Sequence, residues 1–286
     1  MGERSLKFKR FASKHPSCCY CGGVHDTTEI DHMPPRNMFE GKARPNDFVF
    51  PACADCNRLS SLSESVCTML FRTKAFVNNN RTHDDELERV IRDVSRNDPD
   101  VLTEMFFHDP KLLRKKMLLQ RELGTGDFDI LAIGPITRTY IYNFCAKMGL
   151  AAHYKRTGLA VPRTGIVISD VRIGPEYIKG EVPDLNYLIE EEGTLRQGQW
   201  SVWNQFAYRF AQTEKPDIGL YQFIFHDNAL VTCVICHDKN LISVEYPSEL
   251  ARTPGELFLS PGRFPDHRLP IKATGYMSNT LRLIAN

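Results

Sequence analysis

The sequence predicts an α+β protein with a small cysteine-clamped unit near its N-terminus, a helical segment after it and a mostly antiparallel β region at its C-terminal side. Three observations lead to this prediction. Two C-x-x-C pairs enclose a stretch with two short apolar runs. Apolar positions then recur at helical spacing through residues 82–156. From residue 163 onward, apolar runs of strand length alternate with turn residues.

The N-terminal unit is predicted in the order strand, loop, strand, helix. Short apolar runs at residues 27–31 and 47–51 are typical of strands. Residues 33–46 between them are rich in Pro, Gly, Asn and charge, which predicts a loop. Residues 54–76 carry apolar side chains on one side at helical spacing, so we expect a helix there.

The remainder of the chain is predicted as helices and then strands. Thr82 with the acidic residues after it is a typical helix start. Helices are expected over 82–96, 99–122 and 136–156, and strands over 165–171, 219–225 and 229–235. The last two strands form a hairpin, with Asp227 and Asn228 in the turn. We therefore divide the chain into residues 1–78 and residues 79–286.

The charge balance limits how the chain can meet nucleic acid. Its 36 basic and 35 acidic residues leave a formal charge of +1, and its pI is about 7.6. Any attraction to phosphate must therefore be local. The N-terminal arm is one candidate, unless it is a solvated and frayed terminus. Its basic residues are Arg4, Lys7, Lys9, Arg10 and Lys14.

Hydropathy and cysteine content indicate the compartment. No apolar run of about 20 residues occurs that could span a membrane, and no apolar signal core follows the basic N-terminus. We therefore expect a cytoplasmic protein. Thiols stay reduced there, so its C-x-x-C pairs are interpreted as metal ligands and not as disulfides.

Two cysteine pairs at this spacing can close a tetrahedral zinc site. The candidate ligands are Cys18, Cys21, Cys53 and Cys56. Residues 22–52 leave room for strand, loop and strand between the pairs, so Zn²⁺ would clamp the two ends of a small fold. Four Cys ligands leave no open coordination position, which predicts a structural ion. The alternative is a set of ordinary buried thiols, and Cys19 has the wrong spacing to be a ligand.

Asp31, His32 and Asn57 carry groups suited to phosphodiester hydrolysis. Carboxylate and amide oxygens can hold a Mg²⁺-like cation against the phosphate, and a histidine can take a proton from the attacking water. Neighbouring side chains of a strand point to opposite faces, so Asp31 and His32 share a site only if the strand ends there. The prolines at 34–35 predict such an end. Otherwise His32 is a core or surface histidine.

The order of these residues resembles the HNH endonuclease family over residues 15–70. The resemblance is carried by the two Cys pairs, by Glu29-Ile30-Asp31-His32 with its two prolines, and by Asn57 directly after the last cysteine. It implies a zinc-stapled ββα-metal module. It also implies that Asp31 and Asn57 bind the catalytic Mg²⁺ or Mn²⁺, that His32 is the general base, and that Asn46 braces the loop.

Three further side chains are candidates near this site. Arg36 and Arg58 would contact substrate phosphates, unless they are plain surface charge. Glu64 lies two turns beyond Asn57 on the same helix face. It could support the metal ion, but we expect it to be solvated.

Two motifs of the C-terminal region each have a structural and a functional interpretation. An aromatic run could stack bases, but alternating aromatics in a strand are typical of a core; it comprises Trp200, Trp203, Phe206, Tyr208 and Phe210. Cys233, Cys236 and His237 have the spacing of c-type haem attachment, but we expect buried thiols of a hairpin.

The leading hypothesis is therefore a metal-dependent DNA endonuclease acting on double-stranded DNA, with restriction or phage defence as its role by analogy. Two alternatives use the same residues. One is a zinc-stapled nucleic-acid-binding module without cleavage, and the other is a ribonuclease or toxin that acts on RNA. Residues 79–286 would supply target choice, oligomerisation or regulation.

Overall fold

A computed structural model describes most of the predicted elements. The described residues are 3–42, 44–45, 47–72, 85–106, 133–173, 196–197, 205–213, 217–226, 228–242 and 250–255. They combine helices with antiparallel sheet, as the α+β prediction requires. Among them, no helix is both long and apolar enough to cross a membrane.

The N-terminal unit begins with helix α1 (Glu3–Lys14) and continues with two short strands and a longer helix. Strand β1 (Glu29–His32) pairs antiparallel with β2 (Val49–Ala52), with Glu29 opposite Ala52 and His32 opposite Val49. Helix α2 (Ala54–Arg72) follows directly. The predicted order of strand, loop, strand and helix is confirmed, and the loop contains short 3-10 turns, one of them at Arg36–Met38.

Three helices follow in the described chain: α3 (Asp85–Asn97), α4 (Pro99–Phe106) and α5 (Pro135–Thr157). Helix α5 starts with Pro at its first position and ends at Gly158, whose φ of 71° suits the left-handed cap. The predicted extension of the second helix beyond residue 106 lies outside the described residues.

One antiparallel sheet forms the C-terminal side. Its strands are β3 (Ile166–Ile173), β4 (Arg196–Gln197), β5 (Phe206–Gln212), β6 (Ile218–Phe225), β7 (Ala229–Cys236) and β8 (Ala251–Arg252). They lie in the order β4-β5-β6-β7-β3-β8. The predicted hairpin is confirmed, because β6 and β7 pair along their whole length.

The core is continuous between the N-terminal unit and the sheet. Helix α5 is buried on almost every side and packs against α2 and against the sheet. Three aromatic rings mark this junction, one each from α2, α5 and β6. Phe71 lies 5.7 Å from Phe144 and 5.3 Å from Phe225, measured between ring centroids. The N-terminal unit therefore shares its apolar surface with the rest of the chain.

The aromatic run of β5 belongs to this core where it is described. Phe206 is fully buried and Phe210 nearly so, while Tyr208 is half-buried and stacks beside both rings. Trp200 and Trp203 lie outside the described residues. The interpretation as a core is confirmed for the two phenylalanines, because their rings are not available to bases.

Candidate functional site

Four cysteines meet at the junction of the two strands and helix α2. The sulfur atoms of Cys18, Cys21, Cys53 and Cys56 all lie within 4.8 Å of one another, and all four residues are buried. The first pair comes from the turn before β1, where Gly22 and Gly23 both have positive φ. The second pair comes from the end of β2 and the first turn of α2.

The cysteine cluster has the shape and the chemistry of a zinc site. Zn–S bonds of about 2.3 Å place tetrahedral sulfurs about 3.8 Å apart, which this cluster can accommodate with small shifts. Two backbone amides already point at sulfur. Tyr20 N–H donates to Cys18 Sγ at 3.4 Å, and Cys56 N–H donates to Cys53 Sγ at 3.5 Å. Such bonds stabilise thiolates, so a metal such as zinc fits a closed, structural site.

The candidate ligand Asp31 is buried and has several hydrogen-bond partners. Its Oδ2 accepts from the Tyr20 hydroxyl at 2.8 Å and lies 2.7 Å from the Lys147 ammonium. Its Oδ1 accepts from the backbone N–H of His32 at 2.7 Å. The carboxylate is therefore held in one orientation from three sides.

Lys147 reaches this carboxylate from helix α5 and is fully buried. Its Nζ also lies 2.6 Å from Glu64 Oε1 and donates to Ser60 Oγ at 2.8 Å. Burial alone would lower the pKa of this ammonium. The charges of Glu64 and Asp31 outweigh that effect, so the pKa of Lys147 is raised above its ordinary range and the side chain is charged.

Asn57 lies in the first turn of α2 and contacts β1. Its amide Nδ2 donates to Glu29 Oε2 at 2.6 Å. Glu29 and Asp31 are two residues apart and share a strand face, while Asn57, Ser60 and Glu64 share a helix face. We call this contact surface the β1–α2 seam, defined by Glu29, Asp31, Asn57, Ser60 and Glu64. The seam contains both side chains predicted to bind a divalent ion.

His32 is the last residue of β1, and the chain leaves the strand directly after it, at Met33 and the two prolines. The side chain is half-buried. Burial, and then the charge of Arg44, lower the pKa of His32, although Asp31 acts in the opposite direction. The imidazole is therefore neutral at pH 7, as a general base requires.

The two arginines proposed to contact phosphate are both exposed. Arg36 begins the 3-10 turn after the prolines. Arg58 lies in α2 and pairs with Asp55 at 3.1 Å, where both side chains remain largely in solvent. Asn46, the predicted loop brace, lies outside the described residues.

The sequence pattern does not indicate the burial of Glu64 or the contacts of Lys147. The expectation that Glu64 is solvated is wrong, because its carboxylate is held by Lys147 and Ser60. The sequence does carry a signal for Lys147, because this lysine interrupts the apolar run 144–150 of a predicted helix. A charge in such a run needs a buried partner.

The C-x-x-C of β7 is not a second metal site within the described chain. Cys233 is buried and its Sγ donates to the Cys145 carbonyl at 3.1 Å, while Cys236 Sγ contacts the Asp238 carbonyl. Among the described residues, the cysteine cluster is the one group of three or more metal-binding side chains. The expectation of buried hairpin thiols is confirmed.

Comparison of the chain with models of known protein families, with curated proteins and with solved structures gives no match.

Proposed function

We propose that this protein is an HNH-type, metal-dependent endonuclease that hydrolyses DNA phosphodiester bonds. One observation carries the proposal. Beside the cysteine cluster, the β1–α2 seam brings together the faces that bear Asp31 and Asn57, and His32 directly follows Asp31. This combination supplies oxygen ligands and a base in the order that the HNH resemblance implies.

The donor set of the seam fits a hard divalent ion. Asn57 uses its amide nitrogen on Glu29, so its carbonyl oxygen remains for a cation. Asp31 Oδ1 accepts one hydrogen bond and retains capacity for another contact. Mg²⁺ or Mn²⁺ bound by these oxygens would stabilise negative charge on the phosphate and on the departing oxygen.

The protein's own groups would perform the remaining steps. Neutral His32 would accept a proton from the water that attacks phosphorus. Lys7 and Arg44 are exposed cations whose charges lower the pKa of His32, and the same charges would attract a phosphate towards it. Arg36 and Arg58 add exposed positive charge that can contact the DNA backbone.

A second candidate function is favoured by the ion pair between Lys147 and Asp31. An ammonium already neutralises part of the negative charge that a divalent ion would need. The chain would then be a zinc-stapled nucleic-acid-binding module without cleavage.

Nicking of supercoiled plasmid tests the two functions together. The protein is incubated with plasmid across a Mg²⁺ and a Mn²⁺ titration, beside His32→Ala and the control variant His25→Ala. His25 is an exposed histidine of the same unit. We expect nicking by the wild type and by His25→Ala, and at least a hundredfold loss in His32→Ala.

The other outcomes discriminate clearly. Plasmid binding without nicking under either ion would favour the non-cleaving module. Equal nicking by His32→Ala would show that His32 is not the base. A parallel reaction with structured RNA identifies a ribonuclease. The groups on the new ends, phosphate or hydroxyl, show which P–O bond was cleaved.

A further inference from the structure

The ammonium of Lys147 is saturated by oxygen partners. Asp31 Oδ2, Glu64 Oε1 and Ser60 Oγ lie 2.7, 2.6 and 2.8 Å from Nζ. An ammonium has three N–H donors, so each has an acceptor. The side chain is fully buried and also lies 4.9 Å from the centre of the Tyr20 ring. This is a fixed cation and not a mobile surface lysine.

These contacts determine which oxygen of Asp31 remains open. Oδ2 has two partners, Tyr20 and Lys147, whereas Oδ1 has one, the His32 amide. A carboxylate oxygen accepts about two hydrogen bonds, so further capacity lies on Oδ1 alone. Partners of this kind orient ligating carboxylates in metal sites, and their loss weakens ion binding by about 10–100-fold.

We propose that Lys147 is a positioning residue for the divalent ion, and that helix α5 is therefore a required part of the site. The inference rests on the proposed function, because it assigns the ion to Asp31. Lys147 and Tyr20 hold Oδ2, so that Oδ1 faces the ion. Ser60 links Lys147 to the backbone carbonyl of Asn57, in the first turn of α2. The site is then built from the N-terminal unit and from a helix that begins 63 residues after α2 ends.

A competing role for Lys147 makes the opposite prediction. If its charge merely competes with the ion, removing that charge would tighten ion binding by Coulomb's law. Position and charge can be separated because Lys147 has a carboxylate partner of its own. The double variant Lys147→Met with Glu64→Gln removes one positive and one negative charge, so the net charge around Asp31 stays as in the wild type.

The test is Mn²⁺ binding to the zinc-loaded full chain, measured by calorimetry, with Asp31→Asn as the variant that lacks the ligand. Zinc content and melting temperature are recorded for each variant. We expect Lys147→Met/Glu64→Gln to bind Mn²⁺ at least tenfold more weakly than the wild type, with zinc content unchanged. Lys155→Met, in the last turn of the same helix and bonded to the Asp47 carbonyl instead of to Asp31, should bind as the wild type does.

Tyr20→Phe repeats the test without touching a charge and serves if the double variant does not fold. It removes one donor to Oδ2, and we expect Mn²⁺ binding about threefold weaker. Unchanged Mn²⁺ binding in a folded double variant, or tighter Mn²⁺ binding in Lys147→Met, would overturn the positioning role of Lys147. The proposed function would still stand in that case if the wild type nicks plasmid. If the Lys147 variants do not fold and only Tyr20→Phe can be measured, unchanged Mn²⁺ binding by Tyr20→Phe would overturn the proposal that the partners of Oδ2 position Asp31. A wild type that neither binds Mn²⁺ nor nicks plasmid would overturn both.

Discussion

His153 of α5 and His237, which directly follows β7, face each other with their Nε2 atoms 2.8 Å apart. His153 is fully buried, and its Nδ1 lies 3.0 Å from the Tyr221 hydroxyl on β6. His237 lies nearer the surface, with Asp217 3.9 Å from its Nδ1. A hydrogen bond between two imidazoles needs one unprotonated nitrogen, so this contact requires at least one neutral ring.

Acid should therefore destabilise the protein through His153. Burial, and then the charge of His237, lower the pKa of His153 to about 3, against 6.5 for the exposed side chain. The contribution of His153 to the free energy of unfolding is fully present above pH 6.5, where His153 is neutral in the folded and in the unfolded chain. It is lost as the pH falls towards 3, because His153 takes up a proton in the unfolded chain first. At pH 5 the loss from this group is about 2 kcal/mol.

Urea unfolding at pH 7 and pH 5 measures this loss. His153→Gln should flatten the difference between the two pH values, whereas the exposed His25→Gln should keep it. An unchanged pH dependence in folded His153→Gln would assign the acid sensitivity to other groups.

The cysteine cluster predicts about one zinc atom per chain. Cys53→Ser should lose the metal and unfold, because binding a structural ion is coupled to folding. Cys67→Ala is the matched control, since Cys67 is buried in α2 but lies outside the cluster. Elemental analysis and circular dichroism provide the measurements. A folded wild type without metal would contradict the assignment.

Glu104 of α4 caps the start of α5. Its carboxylate accepts from the backbone amides of Ile136 and Thr137 at 3.0 and 2.8 Å. The first amides of a helix have no partner within it, so Glu104→Ala should cost about 1–2 kcal/mol of unfolding free energy. Thr103→Ala, one residue earlier and exposed, should cost less than about 0.5 kcal/mol. Equal unfolding midpoints of Glu104→Ala and the wild type in denaturant would show that the cap contributes nothing to stability.

Asn228 of the β6–β7 turn binds the C-terminal end of α2. Its Nδ2 donates to the carbonyls of Leu70 and Phe71, which lie in the last turn of that helix. Asn228→Ala should lower the unfolding free energy by about 1–3 kcal/mol, because buried carbonyls lose their partner. Asn240→Ala, in an exposed 3-10 turn, is the control. Similar guanidinium midpoints for both variants would contradict this role.

The sequence predicted those features that depend on short spacing. Two residues between paired cysteines set a local turn, and the β6–β7 hairpin needs a turn of few residues. The helix over 136–156 was predicted by its apolar pattern and is confirmed to within one residue at each end. These features require no knowledge of distant parts of the chain.

The side-chain partners of the site could not be predicted in the same way. Lys147 meets Asp31 and Glu64 only because α5 packs on α2, and more than 80 residues separate it from either partner. The sequence pattern gives the polarity of Glu64 but not the neighbour that buries it. The partner of Asn57 was missed for the same reason, since Glu29 is brought to it by strand pairing.

The aromatic contact among Phe71, Phe144 and Phe225 limits where this chain can be truncated without exposing its core. A fragment ending near residue 78 would keep the four cysteines but would uncover the apolar side of α2. That fragment would also leave Asp31 and Glu64 without their ammonium. We expect such a truncated protein to aggregate or to form mixed oligomers, because the cysteine-bearing unit needs both α5 and the sheet to cover its apolar side.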